Sequence, residues 1–114
     1  MKNRKSRVFK SLLYFSFLII ITAIFSVSVS AKKDSTGLYE YKVVDGTAEI
    51  TEHHLDYSYE DIIIPSTLDG YTVTSIGKKA FKYSYGLTSI TIPSTVTVIK
   101  EEAFYGCDET ESIN

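Results

Sequence analysis

The 114-residue chain is 44% hydrophobic and 23% charged, with one Cys, two Pro and no Trp, an average that conceals two unlike parts. Five of the twelve basic residues (Lys2, Arg4, Lys5, Arg7, Lys10) lie in the first ten positions, whereas all fourteen acidic ones lie at or after Asp34. From Lys32 onward seven Lys stand against fourteen carboxylates, a formal charge of −7, which excludes nucleic acid as a partner for want of a basic face and, at this length, a multidomain enzyme.

The first 31 residues have the form of an address. The basic run is followed by Leu12 to Phe25, apolar but for Ser16 and Thr22, and then by a softer stretch that puts Val29 and Ala31 where a signal peptidase reads small residues. Residues 1–31 are therefore expected to form a hydrophobic signal helix cleaved after Ala31, or an uncleaved anchor, since the apolar character persists for about 18 residues, near the minimum that spans a bilayer. Either way the basic end stays inside and everything from Lys32 is delivered outside, so contact with a membrane is confined to this segment. A cell-surface or secreted location follows, and the lone Cys107 cannot make an internal disulfide there.

After a linker over residues 32–38, Tyr39 to Val44 and Thr47 to Thr51 flank Asp45-Gly46 and predict a β-hairpin, read with the entry strand as a cap over residues 39–61. Such a hairpin would cover the apolar face and strand edge of the first repeat unit.

Residues 62–114 repeat themselves. Ile62-Ile-Ile-Pro-Ser-Thr67 overlays Ile90-Thr-Ile-Pro-Ser-Thr95 with five identities in six, Val73-Thr-Ser-Ile76 matches Val96-Thr-Val-Ile99, and Ala80-Phe81 matches Ala103-Phe104. The period is 23 residues, lengthened to 28 between Pro65 and Pro93 by an insertion at Leu68 to Thr72. Within a unit, Ile90 and Ile92 fall on one face of a strand and Ser89 and Thr91 on the other, and Pro93 ends it. Val96 to Ile99 is expected to be a second extended piece with its apolar groups inward, and Lys100 to Phe104 a single helical turn, with Gly86 and Gly106 permitting the return. The chain stops at Asn114, in the strand of a third unit, so an open C-terminal end and self-association through it are expected.

The pattern Ile76-Gly77-Lys-Lys-Ala80-Phe81 with a downstream Leu87-x-x-Ile-x-Ile-Pro93 resembles the BspA-type leucine-rich repeat family of bacterial surface proteins. The resemblance spans about Tyr39 to Asn114 and implies a short leucine-rich-repeat solenoid, mainly β with short helical turns, exported and used for adhesion or protein binding without catalytic residues or cofactors. In that pattern a Cys follows Ala-Phe by three positions, which Cys107 satisfies and Ser84 does not. Lys100 also stands where the first unit has Gly77, and Thr110 where it has Leu87.

The candidates for chemistry are few. Glu52-His53-His54 with Asp56 is the cluster with metal-type side chains, but neighbouring residues of an extended segment point apart and no second His follows at helical spacing, so solvated loop histidines are the expected reading. Cys107 lacks any signature of an activated nucleophile, and Glu60-Asp61 and Glu101-Glu102 suit a solvated face better than an acid–base pair. A small cell-wall hydrolase is thus the weakest reading, behind an inactive N-terminal piece of a longer repeat protein. Eight of the nine Tyr follow Lys32, a composition that suits contact with protein surfaces or sugar faces but also simple coverage of strand edges. On the strand face the outward positions are Asp61 and Ile63 in the first unit, Ser89 and Thr91 in the second and Ser112 in the third; these are the expected binding residues for a protein or surface-glycan ligand.

Overall fold

The structure, a computed structural model, describes residues 29–56 and 58–114; the expected signal segment, residues 1–31, lies outside the described residues but for its last three. Val29 to Ala31 are exposed and without regular structure.

Nine short strands form among the described residues: β1 (Lys32–Lys33), β2 (Tyr39–Val44), β3 (Thr47–His53), β4 (Asp61–Ile63), β5 (Thr67–Leu68), β6 (Tyr71–Ile76), β7 (Ser89–Thr91), β8 (Val98–Ile99) and β9 (Ser112–Ile113). They make two sheets. One runs β1-β2-β3-β6, with β5 and β8 both on the far side of β6; the other is the parallel ladder β4-β7-β9. Each of the two units thus contributes one strand to each sheet, which is how a repeat of some 20 residues stacks without long-range crossovers.

The hairpin β2–β3 forms where the sequence places it. Asp45 and Gly46 carry φ of 49° and 79°, the left-handed pair that a two-residue turn needs to match the strand twist. The insertion at residues 68–72 makes a second hairpin of the same kind, β5–β6, about Asp69 (φ 48°) and Gly70 (φ 86°). Asp69 then ties the two together, accepting from the Ser35 backbone N–H at 2.9 Å and from the Tyr41 hydroxyl at 2.8 Å. Residues 32–38 are not a loose linker. Lys32 and Lys33 pair with Tyr41 and Glu40, the Lys32 ammonium lies 5.0 Å from the Tyr41 ring centre, and Asp34 gathers the N–H groups of Thr36 and Tyr39.

The core is a set of ladders. Ile50, Ile76 and Ile99 stand in register across β3, β6 and β8, and Ile62, Ile90 and Ile113 across β4, β7 and β9. Ile50, Ile76 and Ile90 are fully buried, Ile62 nearly so, while Ile99 and Ile113 are each 51% exposed. The inward orientation expected for Val96 to Ile99 is therefore corrected: Val98 and Ile99 are exposed, because among the described residues β8 pairs with β6 alone and no further unit stacks on it.

The expected helical turns are corrected too. No helix forms among the described residues; the segments after β6 and β8 are runs of tight turns. Lys79 and Glu102, equivalent positions, have φ of 60° and 56°, which no α-helix accommodates. The N–H groups of Lys79, Phe81 and Tyr83 donate to the carbonyls of Glu101, Ala103 and Tyr105 in the next unit, at 3.3, 2.8 and 2.8 Å. The alternate N–H groups of Ala80 and Lys82 close turns within the segment, to Gly77 and Lys79, so every second hydrogen bond runs between units and welds the stack.

Candidate interaction surface

The parallel ladder β4-β7-β9 sets Asp61 beside Ser89 and Ser89 beside Ser112, with Ile63 beside Thr91. The five residues singled out for the strand face thus lie on one side of one sheet. Asp61, Ile63 and Thr91 are exposed, and Ser89 and Ser112 half-buried. Ile63, at 76% exposure, is the most open large apolar residue described. Thr88 fastens the upstream end of the ladder, donating through its hydroxyl to the Glu60 carbonyl at 2.9 Å.

Two shallow clefts meet at Ile63. One, of about 330 Å³, has Leu38, Tyr39, Pro65 and Leu68 in its lining together with Asp34 and Asp69. The other, of about 310 Å³, shares Leu38, Tyr39 and Ile63 and adds Leu55, Tyr59 and Asp61. Both carboxylates of the first cleft are held below the ordinary range. At Asp34 burial pushes the pKa up, but the Thr36 hydroxyl and the N–H groups of Tyr39 and Thr36 outweigh it. At Asp69 the Ser35 N–H and the Tyr41 hydroxyl lower it. The clefts are apolar with anionic polar groups.

His53 contradicts its expected place in a solvated loop, because β3 continues to it. Its ring stacks on Phe81, centroids 4.9 Å apart and planes 12° apart, and Phe81 stacks in turn on Phe104 at 5.4 Å. Nε2 lies 2.7 Å from Ser84 Oγ, and Ser84 Oγ donates to the Phe81 carbonyl at 2.7 Å, so the imidazole hydrogen sits on Nε2. A serine beside a histidine has the look of a nucleophile with its base, but here the hydroxyl proton is committed to a carbonyl, Ser84 is only 7% exposed, and among the described residues Nδ1 has no partner to orient or stabilise an imidazolium. The pair is a packing device. Burial, followed by His54, holds the His53 pKa below its ordinary value against the pull of Glu52.

The other candidates for chemistry also resolve into contacts. His54 Nε2 meets Glu40 Oε1 at 2.9 Å, and Glu52 lies close enough to complete a three-ligand group, but Glu52 and His54 are exposed and the trio is a surface ion pair with a neighbour. Cys107 is half-buried and its thiol donates to the Phe81 carbonyl at 3.1 Å. Glu101 and Glu102 pair with Lys78 and Lys79 of the preceding unit at 2.9 and 3.0 Å.

Residues 51–114 match the family description "BspA type Leucine rich repeat region (6 copies)". The chain belongs to the BspA-type leucine-rich repeat family. Three solved structures resemble it: a leucine-rich repeat protein of T. pallidum (27% identity, TM-score 0.64, covering 73% of this chain and 39% of that one), one of Bacteroides capillosus (31%, 0.63, 75% and 64%) and one of Bacteroides ovatus (32%, 0.57, 77% and 22%). The chain thus spans less than two thirds of the length of each. No curated protein matches it. The family is typically one of bacterial surface proteins, and its repeats are typically non-enzymatic protein-interaction modules.

The departures of this BspA-type repeat from its own pattern have local causes. A Cβ on Gly77 would lie 2.6 Å from the Ile50 carbonyl oxygen and 3.1 Å from the Glu49 carboxylate, because Gly77 N–H donates to that carbonyl. Lys100, the equivalent residue one unit on, reaches back to Glu49 at 2.7 Å, and Lys42 meets the same carboxylate at 3.1 Å. Thr110, replacing Leu87, donates its hydroxyl to the Leu87 carbonyl at 2.9 Å. Ser84, replacing Cys, can both donate to Phe81 and accept from His53, which a weakly accepting sulfur does poorly.

The tyrosine excess divides. Tyr39 and Tyr41 are core, whereas Tyr83, Tyr85 and Tyr105 cluster on the turn side, 44–53% exposed. Tyr83 lies 5.8 Å from Tyr85 and 5.6 Å from Tyr105, with the Lys82 ammonium 4.5 Å over its ring and Gly106 beneath it. The three rings contact one another across the two units, so the cluster is an aromatic weld along the stack.

Proposed function

We propose that the chain is an exported, non-enzymatic protein-binding module that acts in adhesion through the outer face of the β4-β7-β9 ladder. The observation that supports this most directly is the register: Asp61, Ser89 and Ser112 form one row and Ile63 and Thr91 another, a strip of backbone-anchored small and polar groups with one exposed isoleucine. Rigid strands hold such a strip at little entropic cost on binding, and leucine-rich repeats are protein-interaction modules as a family. The hairpin β2–β3 acts as the N-terminal cap, since it places Ile50 and His53 against the first unit where a preceding repeat would otherwise stand. The basic, apolar N-terminal segment supplies the export signal.

The test uses the full chain expressed in a bacterium, with its location followed by protease accessibility on intact cells and its partner by crosslinking. Thr91→Arg combined with Ser112→Arg changes the face without touching the core. Export and a crosslinked partner lost in the double variant are expected; a cytoplasmic chain, or crosslinks that the double variant leaves unchanged, would sink the reading.

A further inference from the structure

Among the described residues β4 has a ladder neighbour on one side only. Its bonds to β7 run through alternate residues: the Glu60 carbonyl accepts from Ser89 N–H at 3.1 Å, and Ile64 N–H donates to the Thr91 carbonyl at 2.9 Å. In a parallel ladder this spacing assigns Ile62 to the same side, so the N–H and C=O of Asp61 and Ile63 face the other way, toward open strand edge. That edge is bordered by both clefts. Their apolar lining, from Leu38, Tyr39, Leu55, Pro65 and Leu68, lies to either side of Ile63.

An uncovered strand edge beside apolar clefts invites an added strand. What distinguishes this edge is charge. Asp34 and Asp69 line one cleft and Asp61 the other, the first two held ionised by N–H and hydroxyl donors, while Lys32 is the cation near Asp69 and lies against the rings of Tyr41 and Tyr71. The clefts hold carboxylates and no lysine or arginine in their linings, within a segment of formal charge −7 from Lys32 onward. Each is at the small end of ligand pockets, which run from about 300 Å³ upward, and suits one or two side chains of an extended chain.

We propose that the outer edge of β4 binds an extended, basic peptide segment of a partner protein by strand addition. The segment's backbone pairs with Asp61 and Ile63, and the Lys or Arg side chains on its cleft side lay their apolar stems in the two clefts and bring their charges to Asp34 and Asp61. The inference rests on the protein-binding reading and adds where the partner docks and what its docking segment is made of.

The experiment is a fluorescence-anisotropy titration of the full chain, held in a non-ionic detergent, with a capped Lys-Val-Lys-Val-Lys-Val peptide. Three controls accompany it: the same peptide N-methylated at alternate amides, its Glu-Val counterpart, and the chain variants Asp61→Lys and Ile63→Lys. Asp61 and Ile63 are exposed, so both variants should keep the circular dichroism of the parent, and Asp61→Asn serves as the milder second variant. Saturable binding is expected, weakened at least about tenfold by N-methylation, by Glu for Lys and by either charge-changing variant. A methylated peptide that binds as well as its parent, or binding that Ile63→Lys leaves unchanged, would overturn strand addition. Absence of peptide binding alongside a crosslinked partner that Thr91→Arg with Ser112→Arg abolishes would also overturn it, while leaving the broader protein-binding reading in place.

Discussion

The imidazole of His53 lies against Phe81 as Phe81 lies against Phe104, so a histidine occupies the first rung of an aromatic ladder that the repeats continue with phenylalanine. The substitution has a physical sense at this position. β3 belongs to the hairpin and not to a repeat, and a ring with one donor can both stack and hold Ser84.

His53 makes stability pH-dependent above the carboxylate range. Its pKa in the fold lies below the ordinary 6.5, so the unfolded chain takes up a proton first as the pH falls. The contribution is complete above 6.5 and is lost as the pH drops from there through the folded value. Urea midpoints taken at about pH 7.5 and about pH 5.5 should therefore fall with pH in the parent chain, and His53→Phe should flatten that difference while matching or exceeding the parent at the lower pH. A parent whose midpoint is the same at both would count against a buried neutral imidazole.

Ser84→Ala removes the acceptor of His53 Nε2–H, leaves that donor without its partner in a half-buried site, and should cost about 1–3 kcal/mol. Combined with His53→Phe the same change should cost much less, because nothing is then left unsatisfied. Additive costs in the double-mutant cycle would show that the two residues do not act as a pair.

Gly77 and Lys100 occupy the same repeat position but should lose stability to very different extents on replacement by alanine. Gly77→Ala drives a methyl to 2.6 Å from a backbone oxygen that is itself hydrogen-bonded, and a cost of about 2–3 kcal/mol is expected. Lys100→Ala removes one ammonium, 43% exposed, from Glu49 and should cost under about 1 kcal/mol. Equal effects in chemical unfolding would mean that the tight contact with Ile50 relaxes without penalty.

Glu49 is 6% exposed and pairs with Lys42 and Lys100. Burial raises its pKa, but the hydrogen bonds and charges of Lys100 and Lys42 prevail and hold it below 4.5. Its stabilisation is present above 4.5 and disappears as the pH falls through the folded value. Glu49→Gln should cost about 1 kcal/mol near neutral pH once solvent screening of the two lysines is allowed for, and should converge with the parent below about pH 3. Parallel stability curves across that range would remove Glu49 from the balance.

Burial along each isoleucine ladder predicts a graded response. Ile76→Ala and Ile90→Ala, at closed rungs, should cost about 2–5 kcal/mol each, whereas Ile99→Ala and Ile113→Ala, half exposed, should cost under about 1 kcal/mol. Comparable losses at all four positions would show that the last rung is covered in solution.

The repeat period, the Asp45-Gly46 turn and the outward row of Asp61, Ile63, Ser89, Thr91 and Ser112 could be read directly from the residues, because strand alternation has a fixed period of two and a left-handed turn pair demands particular side chains. Lys100 to Phe104 misled because its spacing of Ala103 and Phe104 fits a helical turn locally. Only the neighbouring unit supplies the carbonyl–amide pairing that makes it a ladder of turns. His53 gave no sequence signal beyond its spacing of 28 from Phe81, the same as Pro65 to Pro93, and its role required the hairpin to be laid on the first unit. The same holds for Glu49, whose partners Lys42 and Lys100 come from a hairpin strand and a unit apart.

The sequence by itself determined that residues 62–114 are repeated short strand-forming units, since apolar alternation and a 23-residue period mean that each unit buries its isoleucines against its neighbours. Tertiary structure decided which of those isoleucines are buried, where the backbone hydrogen bonds of the turns go, and that the edge of β4 stays open beside two apolar clefts. Those properties depend on what lies across a rung from each residue, and no local pattern encodes it.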